Sequence, residues 1–304
     1  GGKGSKEARP EQEALGSYVP ARSSRSTMSL AAPKLIVSDV DGTLIDSRER
    51  VSRRLREALA TFSAGGGYFA LATGRPPRWL FPVLEQLPLR PICVCANGAV
   101  LYDSDSDRIL TTRALSPSAM LELVGHAREA LSAHGGVGVA VERAGVSAFD
   151  REAELFLVTP EYEHAWVSDE HGMGSEEEVL SQPAIKLLLR NDKLTAQGMY
   201  DLVRPGIPAD LAHVTFSIGY GLLEVSAPGV TKQTGVADLA AILGIERAEI
   251  MAFGDMPNDI EMLSWAGRGY AMGNAREAVK AAADEVTTSN DEFGVARVIE
   301  ALYR

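Results

Sequence analysis

Short apolar runs alternate with amphipathic segments along most of the chain, and this alternation limits the fold more than any other feature of the sequence. The first such run is 34–38, and the pattern continues almost to the end of the chain. Strands that alternate with helices are typical of βαβ units, which build a parallel sheet with helices on both faces. The sequence therefore predicts an α/β fold with a Rossmann-like parallel sheet.

The predicted elements fall into two groups. Strands of the parallel sheet are expected at 34–38, 68–72, 92–95, 250–253 and 269–272, with helices at 53–64 and 232–243. Between them the pattern changes to an amphipathic segment near 117–134, a helix near 193–203, and strands at 137–141, 146–149, 185–189, 214–218 and 222–225. We therefore predict a core domain of residues 34–105 and 222–304, with a small α+β domain, 106–221, inserted in it.

Residues 1–33 differ from the rest of the chain. They are rich in Gly, Ser, Arg and Glu and show no sustained apolar period. Such a segment cannot bury enough apolar surface to offset its conformational entropy. We expect a disordered N-terminal tail.

Charge and composition exclude some classes of protein. The formal net charge of −11 disfavours broad binding to nucleic acid or to anionic membranes, because both would repel the chain at long range. No apolar stretch approaches the roughly 20 residues that cross a bilayer. We expect a cytoplasmic protein that binds neither nucleic acid nor membrane.

Polar residues follow several of the predicted strands. Asp39, Thr73 and Asn97 come soon after the first three strands, and Asp255 follows the strand at 250–253. In an open parallel sheet, ligands bind outside the carboxyl ends of the strands, because the loops there form a crevice. These side chains are therefore expected to meet in one site.

The residue types suit covalent phosphoryl transfer. Of the two carboxylates in Asp39-Val40-Asp41, one can attack phosphorus while the other donates a proton to the leaving oxygen. Asp255 and Asp259 stand four residues apart at a helix start, and with Asp39 they give an oxygen-rich site suited to Mg²⁺. Such a site needs a fixed cation, which Lys232 at the start of a predicted helix can supply. The sequence thus predicts a magnesium-dependent phosphoryl-transfer site.

Each of these signals is weak alone. Asp-x-Asp-Gly is common in turns and in calcium loops, although the EF-hand ligand series does not follow it here. Thr73-Gly74 can be an ordinary turn at the end of a strand. In the functional interpretation, the Thr73 hydroxyl and nearby backbone N–H groups donate hydrogen bonds to phosphoryl oxygens. Lys232 alone could be a solvated lysine. Their joint occurrence in this order at strand ends and helix starts favours the functional interpretation.

The four motifs together resemble the haloacid dehalogenase superfamily of phosphohydrolases, and specifically its Cof-like branch of sugar-phosphate phosphatases. The resemblance covers about 34–304 and rests on Asp39-Val40-Asp41-Gly42-Thr43-Leu44, Thr73-Gly74-Arg75, Lys232, and the run from Gly254 to Met262. It implies a core with an inserted cap at about 106–221 that selects a small phosphorylated metabolite.

The resemblance also implies roles for individual residues. Asp39 would form an aspartyl-phosphate, with Asp41 as acid and then base, and with Thr73 and Lys232 as further catalytic residues. Mg²⁺ would be held by Asp39, the carbonyl oxygen of Asp41, and Asp255, with Asn258 or Asp259 completing or supporting the shell. The expected phosphate- or substrate-binding residues are Thr43, Gly74, Arg75, Asn97, Gly98 and Asn258.

Other possibilities stay open. Lys186, Arg190 and the turn 219–221 are candidates to face the substrate from the cap. A phosphomutase similar to phosphomannomutases would share Asp-x-Asp and a comparable cap, but it should need a cluster of cap arginines that the sequence does not display. A catalytically silent binding protein on the same fold is the third possibility. The complete acidic set favours a hydrolase of small phosphomonoesters.

Overall fold

A computed structural model describes residues 32–162 and 170–304 and contains two β-sheets. The strands are β1 (Leu35–Ser38), β2 (Tyr68–Ala72), β3 (Ile92–Cys95), β4 (Val100–Asp103), β5 (Arg108–Thr112), β6 (Gly138–Glu142), β7 (Phe156–Val158), β8 (Gly172–Met173), β9 (Lys186–Thr195), β10 (His213–Thr215), β11 (Tyr220–Ser226), β12 (Ile250–Gly254), β13 (Arg268–Ala271) and β14 (Glu285–Val286). The predicted disordered tail, 1–33, lies almost entirely outside the described residues.

The α-helices surround these sheets. They are α1 (Arg53–Ala64), α2 (Phe81–Leu84), α3 (Pro117–Ala130), α4 (Glu152–Leu155), α5 (Glu176–Val179), α6 (Ala196–Val203), α7 (Lys232–Leu243), α8 (Ile260–Trp265), α9 (Glu277–Ala282) and α10 (Gly294–Ala301). Ser52 caps α1 by accepting a hydrogen bond from the Leu55 N–H.

The first sheet has eight strands in the order β14-β13-β12-β1-β2-β3-β4-β5. The six strands from β14 to β3 pair in parallel, and β4 and β5 extend the sheet with antiparallel pairing. The predicted α/β fold with a Rossmann-like parallel sheet is therefore confirmed.

Burial on both faces explains the continuous apolar character of the central strands. In β1, Ile36 packs on one side of the sheet with Leu59 of α1. Its neighbours Leu35 and Val37 pack on the other side with residues of α7 and α8. Because helices cover both faces of a parallel sheet, the side chains on both faces must be apolar. Apolar and polar residues therefore do not alternate along these strands.

The second sheet has six strands in the order β10-β11-β9-β6-β7-β8. All its pairs are antiparallel except β7 with β8. One face packs on α3 and α6 through a cluster that includes Leu123, Leu187 and Met199. Its other face carries a smaller apolar cluster that includes Phe156, Leu188 and Leu222.

Most predicted elements are present, with their ends shifted by a few residues, but the strand predicted at 146–149 is wrong. Asp150 Oδ2 accepts hydrogen bonds from the backbone N–H groups of Val146 and Ser147, at 2.6 and 3.0 Å, and turns the chain. The side chains of Val146 and Phe149 are exposed. Local side-chain capping therefore replaces the strand that the apolar residues suggested.

The division into domains at 106 and 221 stays a prediction. Strand β5 pairs with the eight-stranded sheet, whereas β11 pairs with the six-stranded sheet. Pairing therefore favours boundaries a few residues later at both ends of the inserted segment.

No helix among the described residues is long and apolar enough to cross a membrane. The expected cytoplasmic location and the expected lack of nucleic-acid binding stay predictions.

We predict that Gly98→Ala destabilises the protein far more than Gly66→Ala does. Both glycines have left-handed backbones, with φ of +103° and +90°, so either alanine should cost roughly 1–2 kcal/mol of strain. Only at Gly98 would the new Cβ lie 2.1 Å from the Thr231 carbonyl oxygen at the start of α7, which adds roughly 1–3 kcal/mol of overpacking. Urea unfolding of both variants measures the difference, and equal losses would contradict the close packing.

Candidate active site

A tight turn after β1 orients the two aspartates of the first motif differently. Its hydrogen bonds have i→i+5 spacing, from the N–H of Leu44 to the carbonyl of Asp39 at 3.3 Å and from Ile45 to Val40 at 3.2 Å. The Asp39 side chain is 7% exposed. The Asp41 side chain is 57% exposed. The turn thus presents one buried and one accessible carboxylate.

Gly42 makes this turn possible. Its φ is +75°, and a Cβ there would lie 2.2 Å from Asp255 Oδ2. Glycine therefore lets the backbone of the first motif touch the carboxylate of the fourth motif. Asn274 supports the turn by donating a hydrogen bond to the Gly42 carbonyl at 2.9 Å.

A buried ion network lies at the centre of the site. Lys232 Nζ donates to Asp39 Oδ1 at 2.9 Å and to Asp259 Oδ1 at 2.7 Å. Burial would lower the pKa of Lys232, but the charges of Asp259 and Asp39 outweigh it and raise that pKa above its ordinary value. Lys232 is therefore a permanent cation that links the start of α7 to the end of β1 and to the start of α8.

Asp259 holds the loop after β12 in place. Its Oδ2 accepts hydrogen bonds from the backbone N–H groups of Asp255 and Met256, at 2.9 and 3.0 Å. Because Lys232 occupies Oδ1, both oxygens of Asp259 already bind donors of the protein. Direct metal binding by Asp259 stays a prediction that these hydrogen bonds do not favour.

Asp39, Asp255 and Asp259 form a carboxylate cluster in which Asp39 and Asp255 can offer oxygens to a divalent cation, with Asp259 supporting them. One oxygen from each can be chosen so that all three lie within 4.8 Å of one another, and all three side chains are buried. Three buried carboxylates face one buried ammonium, so the cluster lacks positive charge. Burial, reinforced by the charge of Asp259, raises the pKa of Asp39, and burial also raises the pKa of Asp255. Oxygen donors are those that Mg²⁺ prefers.

Thr43 supports the carboxylate cluster and does not line the cavity next to that cluster. Its hydroxyl donates to Asp255 Oδ1 at 2.9 Å, and its side chain is buried. This contact fixes one oxygen of Asp255 while the other lies against Gly42.

The second motif contacts the accessible aspartate. Arg75 Nε donates to Asp41 Oδ2 at 2.9 Å, and its Nη2 donates to Asp41 Oδ1 at 2.5 Å. The backbone N–H of Arg75 donates to Thr73 Oγ1 at 3.0 Å, so the Thr73 hydroxyl can still donate its own hydrogen. The hydrogen bond to Asp41 raises the pKa of Arg75 above its ordinary value. Arg75 thus orients Asp41, and it also lines the neighbouring cavity.

Asn97 and Asn258 meet across the site. Asn258 Nδ2 donates to Asn97 Oδ1 at 3.0 Å, and Asn258 Oδ1 is buried with no hydrogen-bond partner among the described residues. This unpaired acceptor fits the expected contact with a hydrated metal or a substrate hydroxyl. Gly98 packs against Thr231 instead of lining the cavity.

These residues border a cavity of about 610 Å³. The cavity is lined by seven of the predicted site residues: Asp39, Asp41, Gly74, Arg75, Asn97, Asp255 and Asn258. The remaining five do not line it: Thr43, Thr73, Lys232 and Asp259 form hydrogen bonds with lining residues, and Gly98 packs against Thr231. The structure thus brings all predicted site residues into one neighbourhood, in two layers.

The six-stranded sheet contributes one more predicted residue. Lys186 Nζ donates to the Gly74 carbonyl at 3.1 Å and to Glu224 Oε1 at 2.7 Å. Arg190 and Tyr220 do not line this cavity, and the Arg190 guanidinium lies over the Tyr220 ring at 5.7 Å. Among these cap candidates, only Lys186 borders the cavity.

Sequence reasoning missed two acidic residues at the cavity. Glu142 forms an ion pair with Arg78 and is buried, and Glu224 pairs with Lys186. The sequence did contain a signal for such residues, namely a charged residue between apolar neighbours in a strand. Glu224 in Gly221-Leu222-Leu223-Glu224-Val225 is an example. This pattern identifies a cavity residue only when it is known which face of the strand points to the cavity.

Comparisons with known proteins agree with this geometry. The family model for haloacid dehalogenase-like hydrolases matches residues 36–299. A 5-amino-6-(5-phospho-D-ribitylamino)uracil phosphatase of Bacillus subtilis is 25% identical over 269 residues, which cover 88% of this chain and 97% of that protein. A pyridoxal phosphate phosphatase of Escherichia coli is 26% identical over 277 residues, covering 88% of this chain and 97% of that protein.

Solved structures are similar over nearly their whole length. A phosphatase of the haloalkanoate dehalogenase superfamily from Bacteroides thetaiotaomicron has a TM-score of 0.74 and 25% identity, covering 94% of this chain and 99% of that one. A sugar phosphatase of subclass IIB has a TM-score of 0.70 and 27% identity, covering 89% and 99%. The similarity therefore includes both sheets.

We predict that Mg²⁺ stabilises the protein, and more strongly at pH 8 than at pH 5. The fold raises the pKa values of Asp39 and Asp255 above those of the unfolded chain. Protonation of these two carboxyl groups therefore contributes to the free energy of unfolding in full below about pH 4, the pKa of an unfolded Asp. This contribution is lost as the pH rises through the pKa values of the folded protein. Mg²⁺ at about 100 times its Kd should add roughly 2.7 kcal/mol to the free energy of unfolding. Thermal unfolding with MgCl₂ or EDTA at both pH values measures the shift.

Asp255→Asn should remove most of this Mg²⁺ shift, because it removes one carboxylate of the cluster. The control, Asp192→Asn, changes an exposed carboxylate outside the cavity and should keep the full shift. An equal loss in both variants would rule out the carboxylate cluster as the metal site.

Proposed function

Because this chain belongs to the haloacid dehalogenase-like hydrolases, we propose that Asp39 is its nucleophile and Asp41 its acid and base in the hydrolysis of a small phosphomonoester. As a phosphatase of the Cof type, it is a phosphoric monoester hydrolase. The observation that carries the assignment is the contrast between Asp39, buried on Lys232, and Asp41, exposed at the cavity.

The first half of the reaction uses both aspartates. Lys232 holds Asp39 Oδ1, which leaves Oδ2 to attack phosphorus. As the new oxygen–phosphorus bond forms, the bond from phosphorus to the leaving oxygen breaks, and protonated Asp41 gives its proton to that oxygen. The leaving group departs as an alcohol, and Asp39 carries the phosphoryl group as an acyl phosphate.

The second half regenerates the enzyme. Asp41, now a carboxylate, takes a proton from a water molecule as the water oxygen attacks phosphorus. The bond between phosphorus and the Asp39 oxygen breaks, and inorganic phosphate leaves. The Thr73 hydroxyl and the backbone at Gly74 are proposed to bind the phosphoryl oxygens throughout.

We propose Mg²⁺ as the cation of the carboxylate cluster. Asp39, Asp255 and the Asp41 carbonyl would hold it, with support from Asn258. A bound divalent cation supplies positive charge that reduces repulsion between carboxylate and phosphate and orients the phosphoryl group.

The proposed substrate is a small phosphorylated metabolite, such as a sugar phosphate or a related ester. Relatives named as phosphatases of pyridoxal phosphate and of a ribitylaminouracil phosphate, and a neighbour named as a sugar phosphatase, support this range. We further propose that the segment around 106–221 acts as the cap that covers the cavity and selects the substrate.

The cavity disfavours the alternative of a phosphomutase. A mutase must bind both phosphates of a sugar bisphosphate. Among the described residues, Lys186 is the one cavity-lining cation that comes from the six-stranded sheet, and Glu224 already neutralises it. The silent binding protein is disfavoured because Lys232 contacts Asp39 and Asp259, and because Asp41 and Asp255 line the same cavity as Asp39.

We predict that Asp39→Asn lowers kcat for p-nitrophenyl phosphate by at least about 10³-fold in the presence of Mg²⁺, because the amide cannot form the acyl phosphate. Circular dichroism of the variant should match the wild type. Equal activity in both proteins would contradict the nucleophile assignment.

Asp41→Asn should lower kcat by about 10²–10⁴-fold, since proton transfer contributes that much to many enzymes. Mg²⁺ affinity should change little, because the backbone carbonyl rather than the carboxylate of Asp41 is proposed to hold the metal. Titration calorimetry with MgCl₂ measures this affinity, and a large loss with unchanged saturating kcat would contradict the assignment.

A further inference from the structure

One wall of the active-site cavity is a face of the six-stranded sheet. Along β9 and β11, Leu187 and Leu223 turn toward α3 and α6 on the opposite face. Their neighbours Leu188 and Leu222 line the cavity, as strand alternation requires. The chemistry of this wall therefore decides which leaving group lies beside the phosphoryl site.

The charged groups on this wall already bind one another or the core. Glu224 Oε1 accepts from Lys186 at 2.7 Å, and its Oε2 accepts from Ser217 at 2.9 Å. Burial would raise the pKa of Glu224, but Lys186 outweighs it and lowers that pKa below its ordinary value. Glu142 is paired with Arg78. A substrate hydroxyl that competed for these oxygens would have to weaken buried ion pairs.

The rest of the wall is apolar. Phe156, Leu188, Leu222 and Ile218 line it, and Trp79 joins them from the eight-stranded side. The rings are held in place, because the Arg78 guanidinium lies 5.1 Å from the Trp79 ring and 6.0 Å from the Phe156 ring. Phe156 also packs edge-on against Tyr162 at 6.4 Å. The wall is a preformed apolar surface bounded by aromatic rings.

We infer that the leaving group of the natural substrate ends in a flat, largely apolar ring that packs on Phe156, Leu222 and Trp79. This inference rests on the proposed phosphatase function and narrows its substrate class. A cavity of about 610 Å³ has room for a phosphate and one such ring. A polyhydroxylated sugar in the same position would bury hydroxyl groups against apolar side chains, where they lose hydrogen bonds to water.

A second anionic group on the substrate is disfavoured as well. The charged lining residues are five carboxylates, Asp39, Asp41, Glu142, Glu224 and Asp255, against two cations, Arg75 and Lys186. Both cations already have carboxylate partners. The ring of the leaving group is therefore expected to be uncharged or cationic.

Benzyl phosphate and glucose 6-phosphate form a matched pair for the test. Each places a primary CH₂–O–phosphate on a six-membered ring, so the two differ chiefly in the hydroxyl groups and the flatness of that ring. The wild-type enzyme with Mg²⁺ should show a kcat/KM for benzyl phosphate at least about tenfold higher, the size of effect that apolar pockets produce.

Two neighbouring leucines supply the variant and its control. Leu222→Ala removes cavity-facing surface and should reduce the preference for benzyl phosphate several-fold. Leu223→Ala truncates a leucine on the opposite face and should leave the preference unchanged, although it lowers the thermal midpoint. Ile218→Ser, at a half-buried residue between strands, gives the same test as Leu222→Ala without disturbing the sheet.

The possible failures are distinguishable. If glucose 6-phosphate is hydrolysed as well as benzyl phosphate, and both activities are lost in Asp39→Asn, the inference is overturned while the phosphatase proposal stands. An equal loss of preference in the Leu222 and Leu223 variants would also overturn it. If neither ester nor p-nitrophenyl phosphate is hydrolysed in an Asp39-dependent way, the proposed function itself fails.

Discussion

The contact of Lys232 with Asp39 and Asp259 is the interaction on which the rest of the structure depends. Each charge in this network has lost its water, which costs several kcal/mol per ion unless a partner replaces it. The three residues come from the end of β1, the start of α7 and the turn that leads into α8, so the network forms only when these elements are in place. Folding of the parallel sheet and assembly of the active site are thus coupled.

A second constraint acts through residues 74–79. Arg75 binds Asp41, the Gly74 carbonyl accepts from Lys186, and Arg78 pairs with Glu142. One short segment therefore contacts both the proposed acid of the core and the six-stranded sheet. Because these groups are partly buried, a movement of that sheet would break ion pairs that also help to position the acid.

The predicted strands of the parallel sheet are present because burial on both faces leaves a strong apolar signal, as in Leu35–Ser38 and Tyr68–Ala72. The strand predicted at 146–149 failed because the Asp150 side chain caps that turn, and apolar composition does not record such capping. The inserted segment carried a weaker signal, since antiparallel strands with one exposed face alternate between apolar and polar residues.

By itself, the sequence determined the fold class and named the residues of the central network, because parallel strands bring their polar carboxyl ends to one edge. Only the tertiary structure decided which of these residues face the cavity and which support it. It also placed Glu142, Glu224 and Phe156 at the active site and Arg190 away from it. The physical reason is that strand pairing determines which face each side chain occupies, and this pairing depends on contacts between distant residues.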